Sequence, residues 1–252
     1  MAKAILVDTS KCIGCRGCQV ACKQWHGLEA EPTAFRGSYE NPPDLSARTW
    51  RKVKFIETAK QDGATRWRFL SDACKHCTDA SCLAVCPTGA LFHRPWGAVD
   101  LDQEICNGCR YCVSACPFGV ITFNERTGRV DKCILCPDRV EAGLAPACVT
   151  TCPTGALSFG DRDQLLGRAK ERVVQLRAKG EKGAELYGER ELSGLHVLYV
   201  LQERPQVYGL PEKPRFAAAS VFPGFLMSAV ASVVMGVVAL VAFRERGGRG
   251  EE

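Results

Sequence analysis

The sequence predicts an α+β fold of two tandem modules, one nested in the other, then a helix–strand extension and a single C-terminal apolar helix. Three observations predict it. Sixteen cysteines fall into four groups of four. The hexapeptide CPTGAL at Cys86 recurs at Cys152 and, as CPFGVI, at Cys116. The 28 positions from Phe216 to Phe243 carry no charged side chain.

Composition narrows the class first. A chain of 252 residues can bury one or two cores. Charged residues make up 24% and the formal net charge is +5, not gathered into a basic run, which argues against a nucleic-acid partner. Within each cysteine group the gaps are mostly two or three residues. Neighbours that close pair poorly as disulfides, because the chain would have to double back within a turn. They are well placed to surround an inorganic cube. Met1 to Ser10 lacks the basic-then-apolar build of a signal peptide and has no twin arginine, so no leader is expected.

Five stretches follow in order: 1–22, 23–73, 74–160, 161–210 and 211–252. Residues 1–160 form the cysteine domain, with the first block in 1–22, an insertion at 23–73 bearing Trp25, Trp50 and Trp67, and an inner module at 74–117. Extended Val-Asp pairs precede three blocks, at Val7-Asp8, Val99-Asp100 and Val130-Asp131. A glycine and apolar residues suited to a strand follow each Cys-Pro. The repeating unit is therefore strand, cysteine loop, short helix and strand, a ferredoxin-like unit present about four times. Residues 161–210 form the extension. Asp161 is an N-cap with Gln164 three residues on, Leu165, Leu166, Ala169, Val173 and Leu176 make an apolar stripe, and Gly180 is a stop. Leu195 to Leu201 reads as a strand.

The blocks carry the chemistry. Cys12, Cys15, Cys18 and Cys22 form block one; Cys74, Cys77, Cys82 and Cys86 block two; Cys106, Cys109, Cys112 and Cys116 block three; Cys133, Cys136, Cys148 and Cys152 block four. Blocks one and three have the C-x2-C-x2-C-x3-C spacing of bacterial [4Fe–4S] proteins, and proline follows every block except the first. Three thiolates on one tight loop meet three irons of a cube, and the fourth iron faces away toward a cysteine of a sister loop. Blocks two and three, adjacent in sequence, make the inner module, which leaves one and four for the outer. The expected ligand sets are Cys12, Cys15, Cys18 and Cys152 for cluster 1, and Cys74, Cys77, Cys82 and Cys116 for cluster 2. Cluster 3 takes Cys86, Cys106, Cys109 and Cys112, and cluster 4 takes Cys22, Cys133, Cys136 and Cys148. The fold is then two units of two [4Fe–4S] clusters. Gly14, Gly17 and Gly108 are expected to let the backbone wrap closely around the sulfurs. Structural zinc is the bland alternative, but zinc sites need pairs of C-x2-C and no third cysteine so near.

Arg16, Lys75, Arg110 and Lys132 lie in or beside the blocks, where a cation would raise a cluster's potential; the competing reading is ordinary solvated charge. Among the scattered histidines, His76, between Cys74 and Cys77, has the case for tuning a cluster. No nucleotide-binding glycine motif and no Ser/His/Asp pattern is present, so no catalytic residue is assigned and the chain reads as a wire.

From Pro223 to Phe243, 21 residues, a helix would extend about 31 Å, close to the hydrocarbon thickness of about 30 Å. Residues 216–243 therefore read as one transmembrane helix, with Gly224, Ser228, Ala231, Ser232 and Gly236 suited to close helix packing. Residues 244–252 are a short tail. Basic residues flank the span on both sides, so charge does not vote on its orientation.

The sequence resembles the iron–sulfur (beta) subunits of membrane-bound, molybdenum- or tungsten-dependent formate dehydrogenases. The resemblance lies in CIGCRGCQVACKQW from Cys12, NPPDLSARTW from Asn41, PACVTTCPTGALSFG from Pro146, the helix LLGRAKERVVQLRAKG, LHVLYVL from Leu195 and the terminal span. The cysteine blocks alone indicate only the wider four-cluster family, which also serves sulfur-compound and dimethyl sulfoxide reductases and hydrogenases. The resemblance implies a molybdopterin catalytic alpha subunit, four [4Fe–4S] clusters here, and a membrane gamma subunit of cytochrome b type that reduces quinone. It further implies a single-pass protein of the cytoplasmic membrane with its bulk on the outer face.

Overall fold

The structure, a computed structural model, describes residues 1–59, 63, 65–217 and 228–240. In sequence order come β1 (Lys3–Asp8), α1 (Gly17–Trp25), β2 (Lys52–Ala59), β3 (Thr65–Asp72), α2 (Ser81–Ala84), β4 (Leu91–His93), β5 (Val99–Leu101) and α3 (Tyr111–Ala115). They are followed by β6 (Thr122–Asn124), β7 (Arg129–Asp131), α4 (Pro137–Glu141), α5 (Ala147–Thr150), β8 (Leu157–Asp161), α6 (Arg162–Ala178), β9 (Glu185–Tyr187) and β10 (Val197–Leu201).

The main sheet has the order β8-β1-β10-β9, with β1 parallel to β10 and the other pairs antiparallel. The two central strands, KAILVD and VLYVL, are nearly continuous apolar runs because both of their faces are covered. Ala4, Leu6, Leu198 and Val200 face α6 and pack on Leu165, Ala169, Val173 and Leu176. Leu166, expected in the same stripe, is only partly buried at its edge. The Asp161 carboxylate caps α6 by accepting from the backbone N–H of Asp163 and Gln164, at 3.1 and 3.4 Å.

The opposite face of the sheet meets the cysteine region, and the pairings there are nested. β1, which leads into block one, pairs with β8, which leaves block four. α1, inside block one, packs on α5, inside block four. Between them α2 packs on α3, joining blocks two and three, and β4-β5 and β6-β7 form three-residue hairpins. The insertion folds as a long hairpin, β2 against β3 in register from Lys52↔Asp72 to Ala59↔Thr65. It carries a cluster of rings, with Phe55 and Phe69 edge-to-face at 5.1 Å and Trp67 beside them.

Residues 1–215 form one compact unit and 216–252 a second. In the second, residues 228–240 are helical. Much of the expected span, 218–227 and 241–243, lies outside the described residues. Among the described residues no helix is long and apolar enough to cross a membrane.

Candidate metal centres

All sixteen cysteines are free thiols, and they gather into four sets. The Cys12 thiol is pushed up to about 11, first by burial and then by the charges of Cys18, Cys152 and Cys15. Cys77 is raised by burial and then by Cys74, Cys116 and Cys82. Cys112 is pushed up to about 11 by burial, then by Cys109, Cys86 and Cys106. Cys22 is raised well above its ordinary value by burial and, among cysteines, by Cys133, Cys148 and Cys136. Each set thus unites three thiols of one block with one from a second block.

The sets also feel one another's charge. Cys18 of the first acts on Cys148 of the fourth, Cys74 of the second on Cys133 of the fourth, and Cys112 of the third on Cys82 of the second. These interactions link the sets in the order first, fourth, second, third. At the two ends Cys15 and Cys109 are exposed, with Ile13 and Val20 near the one and Ile105 and Tyr111 near the other also open to solvent.

Local backbone explains the repeated motifs. Burial raises the Cys86 thiol, but after it the CPTGAL turn aims backbone N–H groups of Leu91, Thr88 and Ala90, and the Thr88 hydroxyl, at the sulfur, and together these hold it below its ordinary value. The CPFGVI turn gives Cys116 the N–H groups of Val120 and Phe118, but burial prevails there and its thiol is raised. Gly14 and Gly108 have φ of +70° and +71°, and a Cβ on them would meet Phe69 at 2.8 Å and the Gly128 carbonyl oxygen at 2.0 Å. Gly17 differs from the expectation: it opens α1, and a Cβ there would meet only ordinary contacts at 3.7 Å. The left-handed conformation in that loop belongs to its neighbour Arg16, φ +61°, as it does to Arg110, φ +65°, in block three.

The four cations divide. Lys75 and Lys132 are each 1% exposed. Lys75 donates to the Asp72 carboxylate and the Ala73 carbonyl, and Lys132 to the carbonyls of Val99 and Cys133. Their charges favour the thiolates of Cys77 and Cys116, and of Cys82 and Cys133, respectively. Arg16 and Arg110 lie at the surface side of their blocks, their guanidinium groups over the rings of Phe55 and Phe123 at 4.8 and 3.5 Å. Solvated charge fits these two and not the lysines.

His76 is fully buried, and its Nδ1 accepts from the Val99 N–H at 3.1 Å; no sulfur is among its hydrogen-bond partners. The histidine that reaches a sulfur is His26, whose Nε2 is 3.3 Å from Cys136 Sγ while its ring lies 4.9 Å from that of Trp50. Sequence reasoning also passed over Arg51, a buried cation facing Cys148, Cys133, Cys18 and Cys22. Its one sequence signal is its place directly after the NPPDLSARTW segment.

Among the described residues no three His, Cys, Asp or Glu are close enough to share one metal ion. Three thiols of one loop completed by one from a second block suit a cube with an iron at each corner, whereas zinc sites are built from pairs of C-x2-C.

Comparison with known proteins agrees with this donor chemistry. Two family models, each described as a 4Fe-4S dicluster domain, match residues 11–90 and 65–162. The nitrate-inducible formate dehydrogenase iron-sulfur subunit of Escherichia coli is 42% identical over 228 residues, 88% of this chain and 77% of the relative. Formate dehydrogenase 2 subunit beta (cytochrome c-553) of Nitratidesulfovibrio vulgaris is 38% identical, over 82% of this chain and 97% of its own. The B subunit of the anaerobic dimethyl sulfoxide reductase of Escherichia coli is 39% identical over 56% of this chain and 64% of its own length.

Proposed function

This protein belongs to the family of formate dehydrogenase iron–sulfur subunits, and from that premise we propose how its sixteen thiols divide and what they connect. It holds four [4Fe–4S] clusters and transfers electrons. Cluster 1 takes Cys12, Cys15, Cys18 and Cys152; cluster 2 takes Cys74, Cys77, Cys82 and Cys116. Cluster 3 takes Cys86, Cys106, Cys109 and Cys112; cluster 4 takes Cys22, Cys133, Cys136 and Cys148. The observation that carries this is the reach of one thiol from a sister block into each triplet, as in Cys152 acting on Cys12 and Cys86 on Cys112. Each bound cluster supplies one-electron redox chemistry. The protein's own part is to fix the spacing, exclude water with the buried sides of each loop, and set the local charge with Lys75 and Lys132.

The chain relays electrons between a molybdopterin catalytic subunit that oxidises formate and a membrane subunit of cytochrome b type that passes them to quinone. Exposed Cys15 and Cys109, at opposite ends of the linear series, support two docking partners, one at each end. Residues 216–243 anchor the protein as a single span in the cytoplasmic membrane, a reading supported by 28 positions without charge; the bulk on its outer face is what the resemblance to membrane-bound formate dehydrogenases implies. A sulfur-compound reductase is the second reading, since the B subunit of the dimethyl sulfoxide reductase is similar over 56% of this chain; the formate dehydrogenase subunit of Escherichia coli is similar over 88%.

Anaerobic purification of the complex tests both levels. About sixteen irons and sixteen sulfides per chain are expected, with formate-dependent dye reduction by the complex and a need for detergent or lipid to keep it in solution. Full iron without formate activity, but with reduction of a sulfoxide or polysulfide, would move the protein to the second reading.

A further inference from the structure

The Arg51 side chain is 1% exposed and lies just before β2. Its Nη1 donates to Ser71 Oγ at 2.9 Å, and that oxygen is 3.3 Å from Cys18 Sγ. Its Nε and Nη2 are buried with no partner. Other buried cations are satisfied by oxygen: Arg68 pairs with Glu181 and Glu203, Lys75 with Asp72, and Lys132 donates to the Val99 and Cys133 carbonyls. Arg51 has no carboxylate partner among the described residues. A guanidinium stripped of water and left without a counter-ion is strongly unfavourable, and arginine does not escape by losing its proton. The counter-charge therefore has to come from what surrounds it. The groups whose negative charge favours the cation, against the penalty of its burial, are Cys148, Cys133, Cys18 and Cys22. One belongs to the first thiol set and three to the fourth.

We propose that Arg51 is a positioning residue seated between clusters 1 and 4, its free Nε–H and Nη2–H directed at their sulfur, where it makes cluster 4 easier to reduce. Reduction of a cluster adds one electron from its neighbour in the series and makes or breaks no protein bond. The added negative charge is stabilised by a fixed cation and by hydrogen bonds to sulfur, and both raise the potential. Lys75 and Lys132 direct their donors to carboxylate and carbonyl oxygens, whereas two of Arg51's donors, beside the thiols of the first and fourth sets, stay without an oxygen partner. The inference rests on the reading of the four thiol sets as cluster ligands.

The test is a redox titration of the purified complex by electron paramagnetic resonance, for the unaltered protein, Arg51→Gln and Arg51→Lys, each with iron counted. In Arg51→Gln the equilibrium constant for reducing cluster 4 is expected to fall by about tenfold or more, about 59 mV for one electron. Cluster 1 shifts less, and clusters 2 and 3 keep their midpoints. Arg51→Lys restores part of the shift, because it keeps the charge and loses the planar donors. Full iron with unchanged midpoints in Arg51→Gln overturns the proposal, as does an equal shift of all four. If Arg51→Gln loses iron, Arg51→Lys decides: a loaded Lys variant with a lowered cluster 4 midpoint supports the proposal. Unchanged midpoints, or iron loss in both, assign Arg51 a folding role only and overturn it. Failure of the underlying reading looks different, as iron well short of about sixteen per chain in the unaltered protein.

Discussion

Cys74 of the inner module and Cys133 of the outer are buried in one core cluster and interact by charge. Burial raises the Cys133 thiol, Arg51 opposes that, and Cys74 raises it further. On the proposed ligand sets this pair links the outer clusters to the inner ones in a series. Electron transfer along such a series depends on every link, which makes individual ligands testable one at a time.

Cys152→Ala removes the thiol that reaches from block four into the block-one triplet. The expected result is loss or conversion of one outer resonance in the electron paramagnetic spectrum, with both inner signals intact. Cys116→Ala should do the same to one inner signal. An inner signal lost in the Cys152 variant would show that the triplets are completed by other cysteines.

Asp72 lies at the end of β3, and its carboxylate pairs with Lys75 and, at 2.9 Å, with Lys54. Burial opposes its charge, but the two lysines outweigh burial and hold the carboxyl down at about 2. A depressed carboxyl stabilises the fold above its ordinary value of 3.8, and that contribution disappears as pH falls toward about 2. Asp72→Asn leaves Lys75 buried without its counter-ion and should cost about 3–5 kcal/mol. Loss of the cluster absorbance on heating measures it. The difference between the two proteins should shrink in acid, and a difference independent of pH would count against the pairing.

Gly108→Ala tests the loop that carries Cys106 and Cys109. The backbone there is left-handed, and the added methyl would sit 2.0 Å from the Gly128 carbonyl oxygen, a backbone atom that cannot rotate away. Strain and displacement of the β6-β7 turn should cost at least ~2 kcal/mol. Cluster 3 should be the one lost first when the variant is warmed. Gly17→Ala, in the helix, where the added methyl meets only ordinary contacts at 3.7 Å, should be nearly silent. Equal effects of the two substitutions would refute the distinction.

The thiol blocks were legible because cysteine spacing is short-range and repeats, and α6 because a cap, a stripe and a stop agree over one continuous stretch. The hairpin β2-β3 was not: the insertion announced itself only by its tryptophans, since pairing Lys52 with Asp72 leaves no local mark. That omission hid Arg51, which is surface-like by residue type and becomes buried only when the hairpin closes over block one. The histidines show the same limit. His76 sits between two cysteines in sequence yet turns its ring to Val99, whereas His26, far from block four in sequence, is brought to Cys136 by the packing of α1 on α5. Proximity in sequence misjudged what surrounds the thiols.

Cluster uptake should depend on pH in a direction set by the buried thiols. Burial is the first cause that pushes Cys12 and Cys148 up to about 11 and Cys82 and Cys136 up to about 12. In the iron-free protein these groups are therefore neutral at physiological pH, and each must lose its proton to bind iron. Loading then releases protons, and the equilibrium moves toward the loaded form as pH rises. The iron-free fold responds in the opposite sense. A thiol whose folded value is raised favours that fold below its ordinary value of 9.0, and the advantage is lost above it. Reconstitution with ferrous iron and sulfide under anaerobic conditions should accordingly improve from about pH 7 to about pH 8.5, before the iron-free fold begins to suffer. Cys86, whose thiol lies below the ordinary value, contributes less to this slope than these four. Loading that is flat across that range, with no proton release in unbuffered solution, would mean that the thiols are already ionised in the iron-free protein.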